Sequence, residues 1–153
     1  MIITFLGHSS LQRCVELSKK IELTIYENTS DNDNIVFYCG GYGDFDNLCV
    51  QVCQSIKRKF KKCEIIYITP YMTESQQRKM RYLIETCHYD SIIYPPLENV
   101  PFKFAISKRN EWMVNEADLI IAYVNHSYGG AYKSLNYARR KKKHIINLAE
   151  LKY

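Results

Sequence analysis

The chain has 153 residues, 46% of them hydrophobic, and a formal net charge of +5 at pH 7. This length favours one domain with one core over residues 1–153, and no apolar run approaches the ~20 residues that span a bilayer. The opening Met1-Ile-Ile-Thr-Phe-Leu6 has neither the basic residues nor the cleavage site of a signal peptide, so we expect a cytoplasmic protein with no membrane partner.

Short apolar runs alternate with helical patterns along the chain. In chain order, the patterns predict a strand over 2–6, a helix over 11–26, a strand over 35–39, a helix over 44–60, a strand over 64–69, a helix over 73–87, a strand over 91–94, a helix over 103–116, a strand over 119–124, a helix over 130–142 and a strand over 144–148. The helix over 44–60 is the clearest, because its apolar residues recur at spacings of three and four. Thr73 is the expected N-cap of the third helix.

The predicted strands are continuous apolar runs, which is typical of strands covered by helices on both faces. Repeated strand–helix alternation predicts an α/β fold with a doubly wound, mostly parallel sheet of five to six strands, Rossmann-like, in a three-layer α/β/α sandwich. Ligands of such sheets bind outside the carboxyl ends of the strands. We therefore expect the functional site in the loops that follow the strands.

The six cysteines fall inside the predicted elements and lack the C-x-x-C spacing of zinc and redox sites. Residues at such positions are usually buried thiols, so we expect a reducing compartment and no metal site. The helical patterns contain Cys14, Cys49, Cys53 and Cys87, and the strand patterns contain Cys39 and Cys63.

The loops after the strands differ sharply in composition from the strand interiors, and all of them are expected at one edge of the sheet. These loops supply most of the predicted ligand contacts. One further predicted contact, Arg109, lies on the helix predicted over 103–116. The residues that we predict to contact a ligand are Gly7, His8, Ser9, Gly40, Gly41, Tyr42, Gly43, Asp44, Thr69, Pro70, Tyr71, Arg109, His126, Ser127, Gly129, Gly130 and Ala131.

Two glycine turns carry the strongest functional signal. Residues 40–43 read Gly-Gly-Tyr-Gly before a long helix, and Gly129-Gly130 opens the last helix. Glycine allows close approach of a ligand to the backbone, and bare N–H groups at a helix start favour an anion. The G-x-G-x-x-G fingerprint of NAD-binding proteins is absent. These turns favour a phosphate-bearing ligand, and Ser127 and Ser134 are possible hydroxyl donors to it.

Three charged residues near the turns are weak candidates for catalysis. Asp44 and Asp46 can cap the helix, contact a ribose hydroxyl or act as acid and base, and capping is the commoner role. Arg109 can bind a phosphate through its guanidinium, and the alternative is an exposed helix arginine. The sequence leaves the catalytic residues unassigned.

Aromatic residues cluster in the same loops and slightly favour a nucleoside ligand. Tyrosine combines an apolar ring with a polar tip, as a base-and-ribose pocket requires. These tyrosines are Tyr42, Tyr71, Tyr94, Tyr128 and Tyr132. His8 and His126 are expected in the loops as ligand donors or solvated turn residues, and Trp112 as a packing residue.

At these residues the chain resembles the SLOG superfamily of Rossmann-like proteins, which includes LOG phosphoribohydrolases, DNA-processing DprA proteins and YpsA-type proteins. Residues 4–8, Thr-Phe-Leu-Gly-His, are similar to the start of the YpsA group, and residues 40–44 to the first glycine loop. Arg109-Asn110-x-x-Met113, followed by Ala117-Asp118, is similar to a LOG motif, and Gly129-Gly130 to the second glycine motif. The resemblance implies a nucleotide-derived ligand over the strand ends.

The chain departs from this pattern where the LOG and nucleoside deoxyribosyltransferase families carry a catalytic glutamate. No carboxylate occurs from Gly130 to Ala138, and Ser134 lies where the deoxyribosyltransferase nucleophile would be. Cleavage of an N-glycosidic bond needs a carboxylate beside the reacting carbon. Asp44, Asp46 or Glu111 would have to replace it spatially.

The first hypothesis is therefore a protein that senses or sequesters an ADP-ribose-like, NAD-like or nucleoside monophosphate ligand, with no cofactor required. The alternatives are an N-glycosidic hydrolase or transferase, and a nucleic-acid-binding module suggested by the resemblance and the +5 charge. That charge comes largely from two runs, Lys57-Arg58-Lys59 with Lys61-Lys62 and residues 139–143, which we expect to be solvated helix ends. The resemblance also implies a homodimer.

Overall fold

The computed structural model describes residues 1–12, 15–59, 62–86 and 88–149. Six strands alternate with five α-helices, as the apolar runs predict. The strands are β1 (Ile2–Gly7), β2 (Ile35–Cys39), β3 (Cys63–Ile68), β4 (Ser91–Ile93), β5 (Leu119–Tyr123) and β6 (Ile145–Asn147). The helices are α1 (Val15–Glu27), α2 (Asp44–Lys59), α3 (Glu74–Glu85), α4 (Ala105–Glu116) and α5 (Gly129–Arg140), with a 3₁₀ turn at Phe102–Phe104.

All five strand pairs are parallel, in the order β4-β3-β2-β1-β5-β6. Strands β1 to β4 extend the sheet in one direction, and the chain then crosses back to place β5 and β6 on the other side of β1. The predicted doubly wound α/β/α sandwich is confirmed. The winding direction reverses between β1 and β5, where a parallel sheet opens a crevice at its carboxyl edge.

The hydrophobic core divides between the two faces of the sheet. On one face α1 and α2 pack together over a cluster that includes Phe37, Phe45 and Ile56. On the other face α4 and α5 pack together, and Val114, Leu135 and the apolar side of β5 form a second cluster. The strands are thus covered on both faces, which is why they read as apolar runs without alternation.

Two helix starts differ from the sequence prediction. Residues 11 and 12 lie outside the helix predicted from Leu11, whose described part is Val15–Glu27, and the Leu11 amide instead donates to Asp44 Oδ2 at 2.9 Å. The helix predicted over 103–116 opens with the 3₁₀ turn, and its α-helical part begins at Ala105. Thr73 is the N-cap of α3 as predicted, since its hydroxyl accepts from the Gln76 amide at 3.3 Å.

The described cysteines behave as buried hydrophobic residues. Cys39, Cys49, Cys53 and Cys63 are free thiols with little or no exposure, and burial raises the pKa of Cys49 and Cys53. Cys14 and Cys87 lie outside the described residues. Within the described ranges, no three His, Cys, Asp or Glu side chains are grouped to hold a metal ion. Nor does that part of the chain contain a helix with the length and apolar character needed to cross a membrane.

Candidate functional site

A cavity of about 360 Å³ opens at the carboxyl edge of the sheet, beside the crevice between β1 and β5. Its walls come from the loop after β1, the start of α5 and the facing side of α4, with two side chains from the segment that begins α2. The predicted contacts that line it are Gly7, His8, Ser9, Tyr42, Arg109, His126, Gly129, Gly130 and Ala131. Asp46 and Ser134, also noted in the sequence, line it as well.

The amino end of α5 forms an open wall of this cavity. Tyr128 is the N-cap in an extended conformation and provides no side-chain cap, and the first turn contains no acidic residue. Gly129 has φ +88°, a conformation that favours glycine, and a Cβ built at Gly129 or Gly130 would meet open space. The first residues of α5 line the cavity without a side-chain cap, and the uncapped positive end of a helix dipole suits an anion.

Arg109 lies beneath the cavity and is only 2% exposed, so the alternative of an exposed helix arginine is wrong. Its Nη1 donates to the carbonyl oxygens of Gly40 and Ile68 at 2.8 and 2.7 Å, and its Nε donates to Asn110 Oδ1 at 2.8 Å. Nη2 has no hydrogen-bond partner among the described residues. No fully buried side-chain nitrogen or oxygen of those residues lacks a partner, so Nη2 must reach the cavity surface. Nε and Nη1 of the guanidinium therefore hold the surrounding structure, and Nη2 is available to a ligand.

Asp46 contributes the carboxylate of the cavity wall. Its Oδ2 accepts from the Tyr42 amide at 3.0 Å, which ties the turn before α2 to the first turn of that helix. Burial raises the pKa of Asp46 to about 6, although the Tyr42 amide and the charge of Arg109 oppose this shift. The side chain is only half-buried, so a group in the cavity can exchange a proton with it near neutral pH.

Close packing and backbone conformation explain why residues 41 and 43 of the turn at 40–43 are glycines, without a need for ligand contact. A Cβ at Gly41 would lie 2.4 Å from the Tyr67 ring, and one at Gly43 would lie 2.6 Å from the Ser9 backbone. Both residues also have positive φ, at +64° and +91°. The turn reaches the cavity through the Tyr42 side chain, while its three glycines stay outside the lining. Ligand contact by Gly40, Gly41 and Gly43 stays a prediction.

Several other predicted contacts lie on the same edge but outside the cavity lining. The Asp44 carboxylate binds the Leu11 amide, Thr69 Oγ1 donates to the Tyr71 carbonyl at 2.9 Å, and the Tyr71 ring stacks on Phe102 at 4.3 Å between centroids. Pro70 and Ser127 also lie outside it. Asn110 also lines the cavity, although it was not among the predicted ligand contacts. Its place next to Arg109 on one helix could have identified it.

The two loop histidines meet in a stack of aromatic rings at the cavity wall. The His8 and His126 rings lie 3.6 Å apart between centroids, and His126 stacks on Tyr128 at 3.9 Å. His8 Nε2 accepts from the Asn125 amide at 3.1 Å, and His126 Nδ1 lies 3.1 Å from the Tyr128 carbonyl. Trp112 stacks on Tyr38 at 5.6 Å, which fits the packing role expected for it.

Five exposed apolar side chains belong to segments that follow strands, at the carboxyl edge. Tyr42 and Tyr128 line the cavity and are 63% and 70% exposed. Three further exposed residues belong to segments that follow β3 and β4: Met72, Phe102 and Phe104. We call these five side chains the apolar rim. Four of them are aromatic rings that offer flat surfaces for stacking, and Met72 adds a flexible apolar surface.

The described parts of the two basic runs lie at the other edge of the sheet, because α2 and α5 begin at the carboxyl edge and run back to the amino edge. Lys57 pairs with Asp90, and Lys59 pairs with Glu22 at 2.7 Å. Lys143 Nζ donates to the carbonyl oxygens of Asn115 and Ala117 at 2.6 and 3.1 Å. The side chains of Lys57 and Lys59 are 40% and 57% exposed, as expected of solvated helix ends, and their local partners are a finding of the structure.

Comparison with known proteins shows similarity at the level of the fold. No protein-family model and no curated protein sequence matches the chain. DNA processing protein A (DprA) of Streptococcus pneumoniae superposes with a TM-score of 0.60 at 12% identity, over 94% of this chain and 48% of that chain. DprA of Helicobacter pylori, a structure concerned with its single-stranded DNA binding mode, gives 0.59 at 14% identity, over 95% and 63%. The chain thus spans about half the length of the first protein and just under two thirds of the second.

Proposed function

We propose that the carboxyl edge of the sheet binds single-stranded nucleic acid, with one phosphate group in the cavity and neighbouring bases on the apolar rim. The observation that carries this proposal is that Tyr42 and Tyr128 are both exposed and both border the cavity. A phosphate beside the α5 amides would therefore place attached bases within reach of two aromatic rings. Stacking on such rings contributes about 1–3 kcal/mol per base and tolerates any sequence.

The shared fold supports the same proposal. The Helicobacter pylori DprA structure, which superposes on nearly the whole chain, concerns binding of single-stranded DNA. The present chain matches only part of the DprA length, so we confine the proposal to what its own strand edge offers. Lys57, Lys59 and Lys143 of the basic runs make little contribution, because they lie at the opposite edge and have local partners.

The test is fluorescence anisotropy with a short oligothymidylate at several salt concentrations. We expect binding that weakens with salt, and a loss of about 5- to 100-fold in Tyr128→Ala, as removal of one stacked base predicts. Tyr82→Ala is the matched control, because Tyr82 is similarly exposed, at 61%, but lies on α3. Equal affinities of the two variants, or no binding by the unaltered chain, would remove the proposal.

A second candidate is a free nucleotide-derived ligand, as the first sequence hypothesis has it. The cavity volume of about 360 Å³ favours it, since it falls within the ~300–1,000 Å³ typical of small-molecule sites. Calorimetry with ADP-ribose, NAD and mononucleotides separates the two. A mononucleotide that binds more tightly than the oligonucleotide would favour the free ligand.

A third candidate is cleavage of an N-glycosidic bond with Asp46 as the acid. Its pKa near 6 and its place in the cavity wall favour this over Asp44, whose carboxylate is held by Leu11, and over Glu111, which pairs with Lys108. Release of free base from nucleoside monophosphates, followed by chromatography, tests it. Activity that survives in Asp46→Asn would exclude Asp46 as that acid.

A further inference from the structure

The hydrogen bonds of the stacked histidines assign a different tautomer to each ring. His8 Nε2 accepts from a backbone amide, so its proton is on Nδ1. His126 Nδ1 faces the Tyr128 carbonyl, which can only accept, so Nδ1 carries the proton and Nε2 has a lone pair. No described residue hydrogen-bonds to that Nε2. His126 thus holds the position in the pair where a proton can be added without breaking a hydrogen bond.

The stacking distance limits the pair to one added proton. Two imidazolium rings with centroids 3.6 Å apart would repel strongly, and protonation of His8 at Nε2 would also lose the bond from Asn125. Burial of His8 and the neighbouring His126 both lower the pKa of His8. The added proton is therefore directed to His126.

Other charges around the pair are of both signs. The pair lies between the candidate cavity and a neighbouring cavity of about 520 Å³, and both rings line both cavities. The charged residues that line these cavities are Asp46, Arg109, Glu16 and Lys20. The phenols that line them are Tyr42, Tyr123 and Tyr128. An anion that enters beside Arg109 and the α5 amides would shift this balance toward a protonated pair.

We infer that the His8–His126 pair takes up one proton when a phosphate group enters the cavity, so that His126 becomes a cationic contact for it. This rests on the proposed function, which places a phosphate at the start of α5. It deepens that function by making affinity depend on pH. The pair would add a charge for the anion while leaving the empty site less cationic than a permanent lysine or arginine would.

Proton uptake can be measured by titration calorimetry in two buffers of different ionisation enthalpy near pH 7. The probes are inorganic sulfate and an oligothymidylate without terminal phosphates, since neither changes its own charge around this pH. We expect uptake of up to about one proton per site and tighter binding by up to about tenfold per pH unit as the pH falls from about 8 to 6. These titrations use the Asp46→Asn background, because Asp46, whose pKa burial raises to about 6, would otherwise also take up a proton beside an anion. In that background His126→Gln should abolish both effects, and His144→Gln, altered outside both cavities, should keep them.

The outcomes separate this inference from the proposed function. Oligonucleotide binding without proton uptake would overturn the inference and leave the function standing. Sulfate binding with uptake lost in His126→Gln, but no oligonucleotide binding, would support the inference and remove the function. Uptake that survives in His126→Gln would place the proton elsewhere and overturn the inference, and no binding of either probe would overturn both.

Discussion

Arg109 Nη1 donates to the carbonyl oxygen of Gly40 at 2.8 Å, and this bond joins α4 on one face of the sheet to the turn that begins α2 on the other. The same nitrogen binds the carbonyl at the end of β3. One guanidinium therefore fixes the cavity floor where the two helical layers meet. Because of this contact, we expect substitutions of Arg109 to affect folding as well as ligand binding.

The first prediction is that Arg109→Ala lowers the free energy of unfolding by about 2–4 kcal/mol, because two buried carbonyl oxygens lose their donor. Urea unfolding measures it. The neighbouring Lys108→Ala should change stability by less than about 1 kcal/mol, since Lys108 forms only an exposed pair with Glu111. Equal stability of the two variants would contradict the structural role of Arg109.

The second prediction concerns Gly130, in the first turn of α5. Gly130→Asp should keep or raise stability by about 0.5 kcal/mol, because a carboxylate there complements the helix dipole and a Cβ meets open space. The same charge should repel a phosphate and weaken oligonucleotide binding by at least about tenfold. Thermal unfolding and fluorescence anisotropy measure the two effects. Gly130→Ala supplies the side chain without the charge, and a similar binding loss in it would point to steric exclusion instead.

The third prediction follows from the pKa of Asp46, which burial raises from 3.8 to about 6. The folded chain therefore holds more protons at this site than the unfolded chain, and the contribution of Asp46 to stability falls as the pH rises through this window. Asp46→Asn cannot ionise. We expect its free energy of unfolding, relative to the unaltered chain, to rise by about 1–2 kcal/mol from pH 4 to pH 7, after allowance for partial exposure.

Urea unfolding at several pH values measures this difference. His8 is present in both chains, so its own titration cancels. A difference between the two chains that stays constant with pH would show that Asp46 has an ordinary pKa, and the third candidate function would lose its acid.

The fourth prediction concerns the end of α5, where Lys142 adopts φ +55°. The Lys142 and Lys143 amides donate back to the carbonyls of Arg139 and Ala138 at 3.0 and 3.1 Å, which is the Schellman arrangement. Glycine adopts this conformation without strain, so Lys142→Gly should stabilise the chain by about 0.5–1 kcal/mol. Thermal unfolding measures it. A loss of stability in that variant would mean that the lysine side chain has a favourable contact that outweighs the strain.

Much of the edge geometry could be predicted from the chain itself. The glycine pair at 129–130 and the loop with His8 were expected at one edge, because parallel strands place the loops after them on the same side. The glycines at 41 and 43 were also recognised as a turn. Their actual reason, close contact with Tyr67 and Ser9, involves residues distant in sequence and has no local signal.

Local periodicity and turn chemistry determined the six strands and the five helices, because these depend on neighbours along the chain. The parallel winding followed from the alternation of these elements. Only the tertiary structure decided that Arg109 is buried and that His8 meets Asn125, 117 residues away. A helical pattern tells which side chains share a face. It does not tell what lies opposite that face, and the partners across the sheet edge set the charge, the tautomers and the accessible atoms of this site.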